Sequence, residues 1–170
     1  TAIKESKERV KSAIKNSGFD WPRERITISL APSGLKKEGP CFDLAIALGV
    51  LAATRQINIE GLKNYFIIGE LSLDGTLRPT PGTLPISLAI AKSASGTRAN
   101  HNNNLIVPAQ NAKEAAIVSG VRVFAIKTLR ESVEFLNNPQ MLEPFQSDLA
   151  DFFKERLAYP LDFQEVKGQY

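Results

Sequence analysis

The chain has 170 residues, of which 43% are hydrophobic and 23% are charged, and its formal net charge at pH 7 is +3. This length suits one domain, or one domain with a tail, while so mild a charge gives no evidence for nucleic-acid binding. A single cysteine excludes an internal disulfide, and one histidine with one cysteine excludes a Cys/His zinc cluster. No apolar run approaches the roughly 20 residues that span a bilayer, so we expect no membrane contact and a cytoplasmic location.

The first residues predict a helix followed by a strand. Ala2 to Asn16 have the periodicity of an amphipathic helix, and we assign Arg9 to its solvated face with the other charged residues. Gly18 is the expected residue just beyond the helix end. Residues 25–31 alternate between apolar and polar side chains, which predicts a half-buried strand.

The central stretch is a charged loop followed by a helix that is apolar on every side. Pro40 suits the first turn of this helix, which is expected to end near Thr54 and to be buried all round. Free backbone N–H groups and the positive end of the helix dipole should lie beside Cys41 and Asp43. Any catalytic chemistry is therefore expected here, although a carboxylate in this turn also suits a structural role, accepting loop N–H groups.

The rest of the chain predicts strands and helices that alternate around one hairpin. Asp74-Gly75 is the strongest hairpin signal, and Thr128 with Glu131 forms a capping box. Predicted strands cover residues 65–68, 105–107 and 121–126, and predicted helices cover residues 84–93, 111–119, 129–136 and 149–157. Residues 95–104 read as a polar loop. This order predicts the α+β class, a mixed sheet with packed helices.

Residues 37–53 carry a resemblance to known families. They read K-E-G-P-C-F-D-L-A-I-A-L-G-V-L-A-A, which resembles the ComM/YifB family of magnesium-chelatase-subunit-I-like (ChlI-type) AAA+ ATPases. They are also similar, less closely, to the K-D-G-P-S-A-G nucleophile loop of the Lon proteolytic domain. The stretches G-E-L-S-L-D-G-T-L-R-P and V-P-A-Q-N-A support the first resemblance, which extends to about Leu136. It implies the fold shared by the Lon proteolytic domain and domain 2 of ribosomal protein S5.

The resemblance also implies a domain organisation. Residues 1–137 would form the Lon-like N-terminal domain, with its first strands before residue 1, and residues 138–170 a linker into an absent AAA+ module. The sequence has no G-x-x-x-x-G-K-[ST] phosphate loop, so no cofactor is expected in this segment, and ATP and magnesium would belong to the absent module. The full protein would be a homo-hexameric DNA helicase that acts in branch migration during natural transformation.

The same resemblance bears on catalysis. Lon-type peptidases use a Ser–Lys dyad, and here Cys41 stands at the serine position and Ile86 at the lysine position, while the nearest lysine is Lys92. We therefore expect no catalytic residue and no metal ligands. A Cys41–His101 pair is the other possibility, since each residue type occurs once.

Three functions stay open. The first is a non-proteolytic domain that serves ring assembly or contacts DNA phosphates through its basic residues, with Arg23, Arg25, Lys36 and Lys37 as candidates. The second is a Lon-related Cys or Ser peptidase with Cys41 as nucleophile. The third is a magnesium-chelatase-related ATPase subunit, which the family name suggests but no residue of this segment supports.

Overall fold

The computed structural model describes residues 2–30, 39–94 and 103–146. The helices are α1 (Ala2–Asn16), α2 (Asp43–Ala53), α3 (Ile59–Leu62), α4 (Thr83–Ala94), α5 (Ala112–Ala115) and α6 (Leu129–Asn137). The strands are β1 (Tyr65–Ile67), β2 (Glu70–Leu71), β3 (Leu77–Arg78), β4 (Asn104–Pro108) and β5 (Arg122–Ile126). Short 3-10 turns cover Pro40–Phe42, Ala109–Asn111 and Pro139–Met141.

The strands form two sheets. β1, β4 and β5 are parallel with β4 in the centre, while β2 and β3 form the predicted antiparallel hairpin. This hairpin is a separate sheet, and a bridge between Thr76 and Thr128 joins it to the chain that follows β5. The Leu77 N–H also donates to the Lys127 carbonyl, at 2.8 Å. Parallel strands, a hairpin and packed helices confirm the predicted α+β class.

The parallel sheet has an apolar cluster on each face, because successive strand side chains point to opposite sides. Ile106 and Phe124 belong to the first cluster, which they share with α1, α2 and α6. Leu105 and Val123 belong to the second cluster, which they share with α4 and α5. The two helical layers therefore cover opposite faces of the sheet, and α2 lies in the first layer.

The end of α1 confirms the prediction for Gly18. This glycine has φ 83°, and its N–H donates to the Lys15 carbonyl at 3.0 Å. The next N–H, that of Phe19, donates to the Ile14 carbonyl at 3.1 Å. These two bonds form a Schellman motif, which requires the left-handed backbone that glycine adopts without steric cost.

The N-terminus of α6 confirms the predicted capping residues. The Thr128 side chain accepts the N–H of Glu131 at 3.1 Å. The Glu131 carboxylate accepts the N–H of Lys127, at 2.6 Å, one residue before the cap. Both bonds satisfy backbone donors at the start of the helix, which is the purpose of a capping box.

The strand predicted for residues 25–31 is wrong over the residues that are described. Residues 25–30 form no strand; several of them line an apolar groove along one side of α2. A strand exists only where a neighbour supplies the other half of the hydrogen-bond ladder. No strand of the described chain pairs with this segment, and alternation in a sequence does not reveal whether a partner is present.

The prediction that α2 is buried on every side is correct for part of its surface. Leu44, Ala47, Leu48 and Leu51 have no exposed surface. Gly49 and Ala53, in contrast, are exposed along the groove. A helix with apolar residues on every side can be buried on every side. Whether it is buried depends on how many other elements of the fold pack around it.

The helix predicted for residues 111–119 is also wrong in length. A 3-10 turn precedes α5, which spans only Ala112–Ala115. The Asn111 amide accepts the Thr80 N–H and donates to the Thr80 carbonyl, both at 2.9 Å, so this residue is held by a distant loop. After α5 the chain turns at Gly120, with φ 85°, to enter β5. The connection from β4 to β5 is thus a 3-10 turn, one short α-helix and a glycine turn.

Residues after α6 pack back onto the parallel sheet. The Phe145 N–H donates to the Val123 carbonyl at 2.7 Å, and its ring packs against the second cluster. Leu142 packs against the first cluster. The helix predicted for residues 149–157 and most of the loop at residues 95–104 lie outside the described residues. Within the described ranges, no helix has the length and apolarity to cross a membrane.

Two glycine substitutions separate backbone strain from packing in this fold. Gly75 and Gly120 both have φ 85°, but a Cβ at Gly75 would overlap Ser17 Oγ, whereas a Cβ at Gly120 meets open space. We expect Gly120→Ala to lower the free energy of unfolding by about 1 kcal/mol. Gly75→Ala should lower it by about 2–4 kcal/mol, because overpacking is added to strain. Urea denaturation measures both, and equal losses would contradict the contact between hairpin and α1.

Candidate functional site

The start of α2, residues 39–44, is the stretch where the sequence predicts chemistry. Gly39 has φ 87° and leads into the 3-10 turn. The Gly69 N–H donates to the Cys41 carbonyl at 2.8 Å, and the Leu44 N–H donates to the Gly69 carbonyl at 3.0 Å. The Asp43 N–H donates to the Pro40 carbonyl. The expectation of free N–H groups is therefore wrong for Asp43 and Leu44, whose donors are bonded within the protein.

Gly69 allows this close approach because it has no side chain. A Cβ at this position would lie 2.9 Å from Leu77 Cδ2 and 3.4 Å from Leu44 Cβ. The segment between β1 and β2 is therefore held directly against the α2 start. Such packing leaves little room for a substrate on that side of the turn.

Asp43 is a fully buried carboxylate with partners from two other elements, α1 and β2. Arg9 Nε lies 2.9 Å from its Oδ2, and Ser6 Oγ donates to its Oδ1. The Leu71 N–H points to the same carboxylate at 3.4 Å. A buried carboxylate is tolerated only where a cation and hydrogen-bond donors surround it. Asp43 thus joins α1, α2 and β2.

The assignment of Arg9 to the solvated face of α1 is wrong. Its side chain is 27% exposed and pairs with the buried carboxylate of Asp43. Ser6 and Arg9 are three residues apart and therefore share one side of the helix. The adjacent Val10 is buried in the first cluster, so this side turns toward α2. The sequence shows that Ser6 and Arg9 lie on one side of α1, but it does not show that both side chains contact Asp43.

Cys41 is a partly buried free thiol. Burial raises the pKa of this thiol, a backbone hydrogen bond lowers it, and the negative charge of Asp43 raises it again, with a net upward shift. Since the thiolate is the nucleophile, a raised pKa leaves Cys41 protonated and weakly reactive at neutral pH.

The other predicted site residues are spread over the chain. Ile86 lies in α4 and packs against the second cluster, on the sheet face opposite to α2. Lys92 is exposed in the last turn of the same helix. Lys36, Lys37 and His101 lie outside the described residues, so the Cys41–His101 pair stays a prediction. No group of His, Cys, Asp or Glu among the described residues has the arrangement of a metal site.

The two arginines proposed for DNA contact are both described. Arg23 and Arg25 are exposed and lie in the segment that connects α1 to the α2 start. An exposed arginine retains its hydrogen-bond donors for phosphate oxygens. The structure therefore leaves these two side chains accessible on one segment.

The buried ion pair generates a stability prediction. Arg9→Met keeps an apolar stem but leaves the Asp43 carboxylate buried without its cation, so we expect a loss of about 3 kcal/mol in unfolding free energy. The double variant Arg9→Met/Asp43→Leu should regain part of this loss, since a buried pair can be replaced by apolar packing.

The matched control breaks an exposed ion pair. Lys63 Nζ lies 2.6 Å from Glu60 Oε1, and both side chains are more than 60% exposed. Lys63→Met should cost less than about 0.5 kcal/mol. If guanidinium denaturation shows the same small loss for Arg9→Met, Asp43 is not held as described.

The raised pKa of Cys41 generates a pH prediction. A thiol with a raised pKa becomes a thiolate only at higher pH, so alkylation by iodoacetamide should be slow at pH 7 and should reach half its maximal rate above the ordinary cysteine value. Asp43→Asn should shift this midpoint downward, because it removes a nearby negative charge. Mass spectrometry of the labelled protein measures the rate, and a midpoint near or below neutrality would indicate an activated nucleophile.

Comparison with known proteins gives a consistent family. The family model described as subunit ChlI of Mg-chelatase matches residues 1–111. The competence protein ComM of Haemophilus influenzae is 42% identical over 140 residues, which cover 82% of this chain and 26% of ComM. YifB of Salmonella typhimurium is 40% identical over 170 residues, which cover 99% of this chain and 31% of YifB.

A more distant similarity connects the chain to the Lon proteases. Lon protease 2 of Bacillus subtilis is 27% identical over 150 residues, which cover 86% of this chain and 25% of that protein. The chain thus spans no more than about a third of the length of these relatives. The ChlI match covers more than half of the chain, and the ComM and YifB matches confirm the predicted resemblance. The chain belongs to the Mg-chelatase subunit ChlI family and is similar to its ComM and YifB members.

Proposed function

We propose that this chain is a non-proteolytic, Lon-like domain of a Mg-chelatase-like AAA+ ATPase that acts on DNA, and that it serves ring assembly, DNA contact or both. The supporting observation is the α2 start, where a peptidase of the Lon type would need its nucleophile. There the thiol has a raised pKa, and the neighbouring carboxylate is bonded to Arg9 and Ser6. These residues hold the fold together, which suits a domain whose function lies at its surface.

The chemistry of the proposed machine belongs to a part of the protein outside this chain. ATP and magnesium would bind an AAA+ module, and six copies of the full protein would form a ring in the cytoplasm. ComM is named as a competence protein, which supports a role of the whole protein in processing DNA, and we infer branch migration during natural transformation. The alternative of a magnesium-chelatase subunit shares the ChlI family match, but no residue of this segment is assigned to porphyrin.

The proposed DNA contact uses charge and not base recognition. Arg23 and Arg25 are exposed before the α2 start, and Lys36 and Lys37 follow in sequence. Basic side chains on phosphates position a protein without reading sequence, and they make binding strongly dependent on salt. Four such residues in one segment are the best candidates for this contact.

A salt-dependent titration tests the DNA proposal. The 170-residue chain is titrated against fluorescein-labelled single strands, duplex and a branched junction, and anisotropy is measured at several salt concentrations. We expect micromolar binding that weakens roughly tenfold or more between about 50 and 200 mM salt. No binding at low salt would remove DNA contact from this domain and leave ring assembly.

Charge-reversal variants locate the contact. Lys36→Glu/Lys37→Glu should lose most DNA binding and reduce the salt dependence. Lys7→Glu/Lys15→Glu is the matched control, because it changes the net charge equally at exposed positions of α1. Equal losses in both variants would show that binding follows net charge alone and would contradict the assigned surface.

The peptidase alternative is favoured by one observation, the similarity to Lon protease 2. Its test is cleavage of an unstructured protein such as casein, followed by mass spectrometry. Cleavage that is abolished in Cys41→Ala would establish the peptidase. The raised pKa of Cys41 leads us to expect none.

A further inference from the structure

A polar cleft of about 580 Å³ lies at the edge of the parallel sheet where its strands begin. Tyr65, Asn104 and Arg122 are the first residues of β1, β4 and β5, and they stand side by side in the strand register. Pro139, Gln140, Leu142, Glu143 and Pro144, which follow α6, also line the cleft. We call this the strand-end cleft. It involves none of the residues at the α2 start.

Asn104 lines the strand-end cleft and has an unused, buried acceptor. The residue is only 5% exposed, and its Nδ2 donates to the Asn64 carbonyl at 3.2 Å. This bond fixes the orientation of the amide, because reversing it would place two oxygens together. The Oδ1 atom is buried and has no hydrogen-bond partner among the described residues. A buried acceptor without a partner is costly, so a donor from water or a ligand is required there.

Two opposite charges line the same cleft. Arg122 is exposed, and its guanidinium lies 5.7 Å from the centre of the Phe124 ring, which holds it over the sheet. Glu143 also lines the cleft and is exposed. Within the residues described, no ion pair joins these two side chains. The cleft therefore offers one cation, one anion and one buried acceptor to a molecule between them.

Tyr65 also lines the cleft, and its ring is held by contacts with two other aromatic rings. It makes edge contacts with Phe124 at 5.7 Å and with Phe135 at 5.4 Å between ring centres. Burial raises the pKa of the Tyr65 phenol, although the charge of Arg122 acts in the opposite direction. The ring therefore stays uncharged at neutral pH, and the charges at this edge come from Arg122 and Glu143.

We propose that the strand-end cleft binds a small zwitterion of the α-amino acid class. The ligand's ammonium donates to Asn104 Oδ1 and faces the Glu143 carboxylate, and its carboxylate pairs with the Arg122 guanidinium. A purely anionic ligand would face Glu143 and leave the Asn104 acceptor unpaired. A purely cationic ligand would face Arg122. Only a molecule with both charges and an N–H donor satisfies all three groups.

The binding experiment uses the 170-residue chain and defined probes. Glycine, L-alanine and L-glutamine are added separately, with acetate and methylammonium as probes that each carry one of the two charges. Chemical shifts in ¹H–¹⁵N NMR spectra, including the Asn104 side-chain amide, report where each probe binds. Concentrations up to about 10 mM cover the weak affinities of such small molecules.

Variants at the exposed positions decide the role of each charge. Arg122→Gln and Glu143→Gln should each weaken binding of the best amino acid roughly tenfold or more, since a charged hydrogen-bond partner is lost. Asn104→Leu should abolish binding, but it also removes the bond to Asn64, so its fold is checked separately. Arg55→Gln is the control, because Arg55 is exposed and does not line the cleft.

Each outcome supports or overturns the proposal. Saturable shifts at Asn104 with an amino acid, weaker effects of acetate and methylammonium, and losses in both charge variants support it. Equal binding of acetate overturns the zwitterion and indicates a simple anion site. Absence of binding by all probes, or equal affinity in Arg122→Gln, also overturns it and assigns the Asn104 acceptor to water. DNA binding by the same chain is independent of each of these results.

Discussion

The buried ion pair between Asp43 and Arg9 is the interaction on which the first layer of the structure depends. Removing a carboxylate from water costs several kcal/mol unless it gains a cation and donors. Arg9, Ser6 and the Leu71 N–H supply them, and they come from α1 and from β2. These elements must therefore assemble together for Asp43 to be buried. Gly69, the residue before β2, makes backbone hydrogen bonds with Cys41 and Leu44, and these two bonds hold the start of α2 against the start of the hairpin.

This constraint bears directly on function. The turn that resembles a nucleophile loop packs closely against Gly69 and is hydrogen-bonded to its backbone. The pKa of its thiol, that of Cys41, is raised. A reactive cysteine needs a positive charge beside it, whereas the charge that raises the pKa of Cys41 is the negative one of Asp43. A similar local sequence is therefore not sufficient for peptidase activity, because the surrounding side chains set the pKa of the residue at the nucleophile position. Activity in this domain is better sought at its surfaces.

Two such surfaces carry separate chemistry. Arg23 and Arg25 are exposed, which suits phosphates, while the strand-end cleft is lined by both charges and by a residue with a buried acceptor. The chain spans no more than about a third of the length of the relatives it matches.

The sequence by itself determined the class of the fold, most of its helices and strands, the hairpin at Gly75 and the caps at Gly18 and Thr128. These features depend on local periodicity and on backbone geometry, which neighbouring residues specify. Only the tertiary structure decided that Arg9 pairs with Asp43 and that residues 25–30 have no strand to pair with among the described residues. It also decided that the buried Oδ1 atom of Asn104 has no hydrogen-bond partner there. Each of these depends on residues far apart in the chain. Burial and pairing are properties of the assembled fold, and a local pattern cannot specify which distant group will lie opposite.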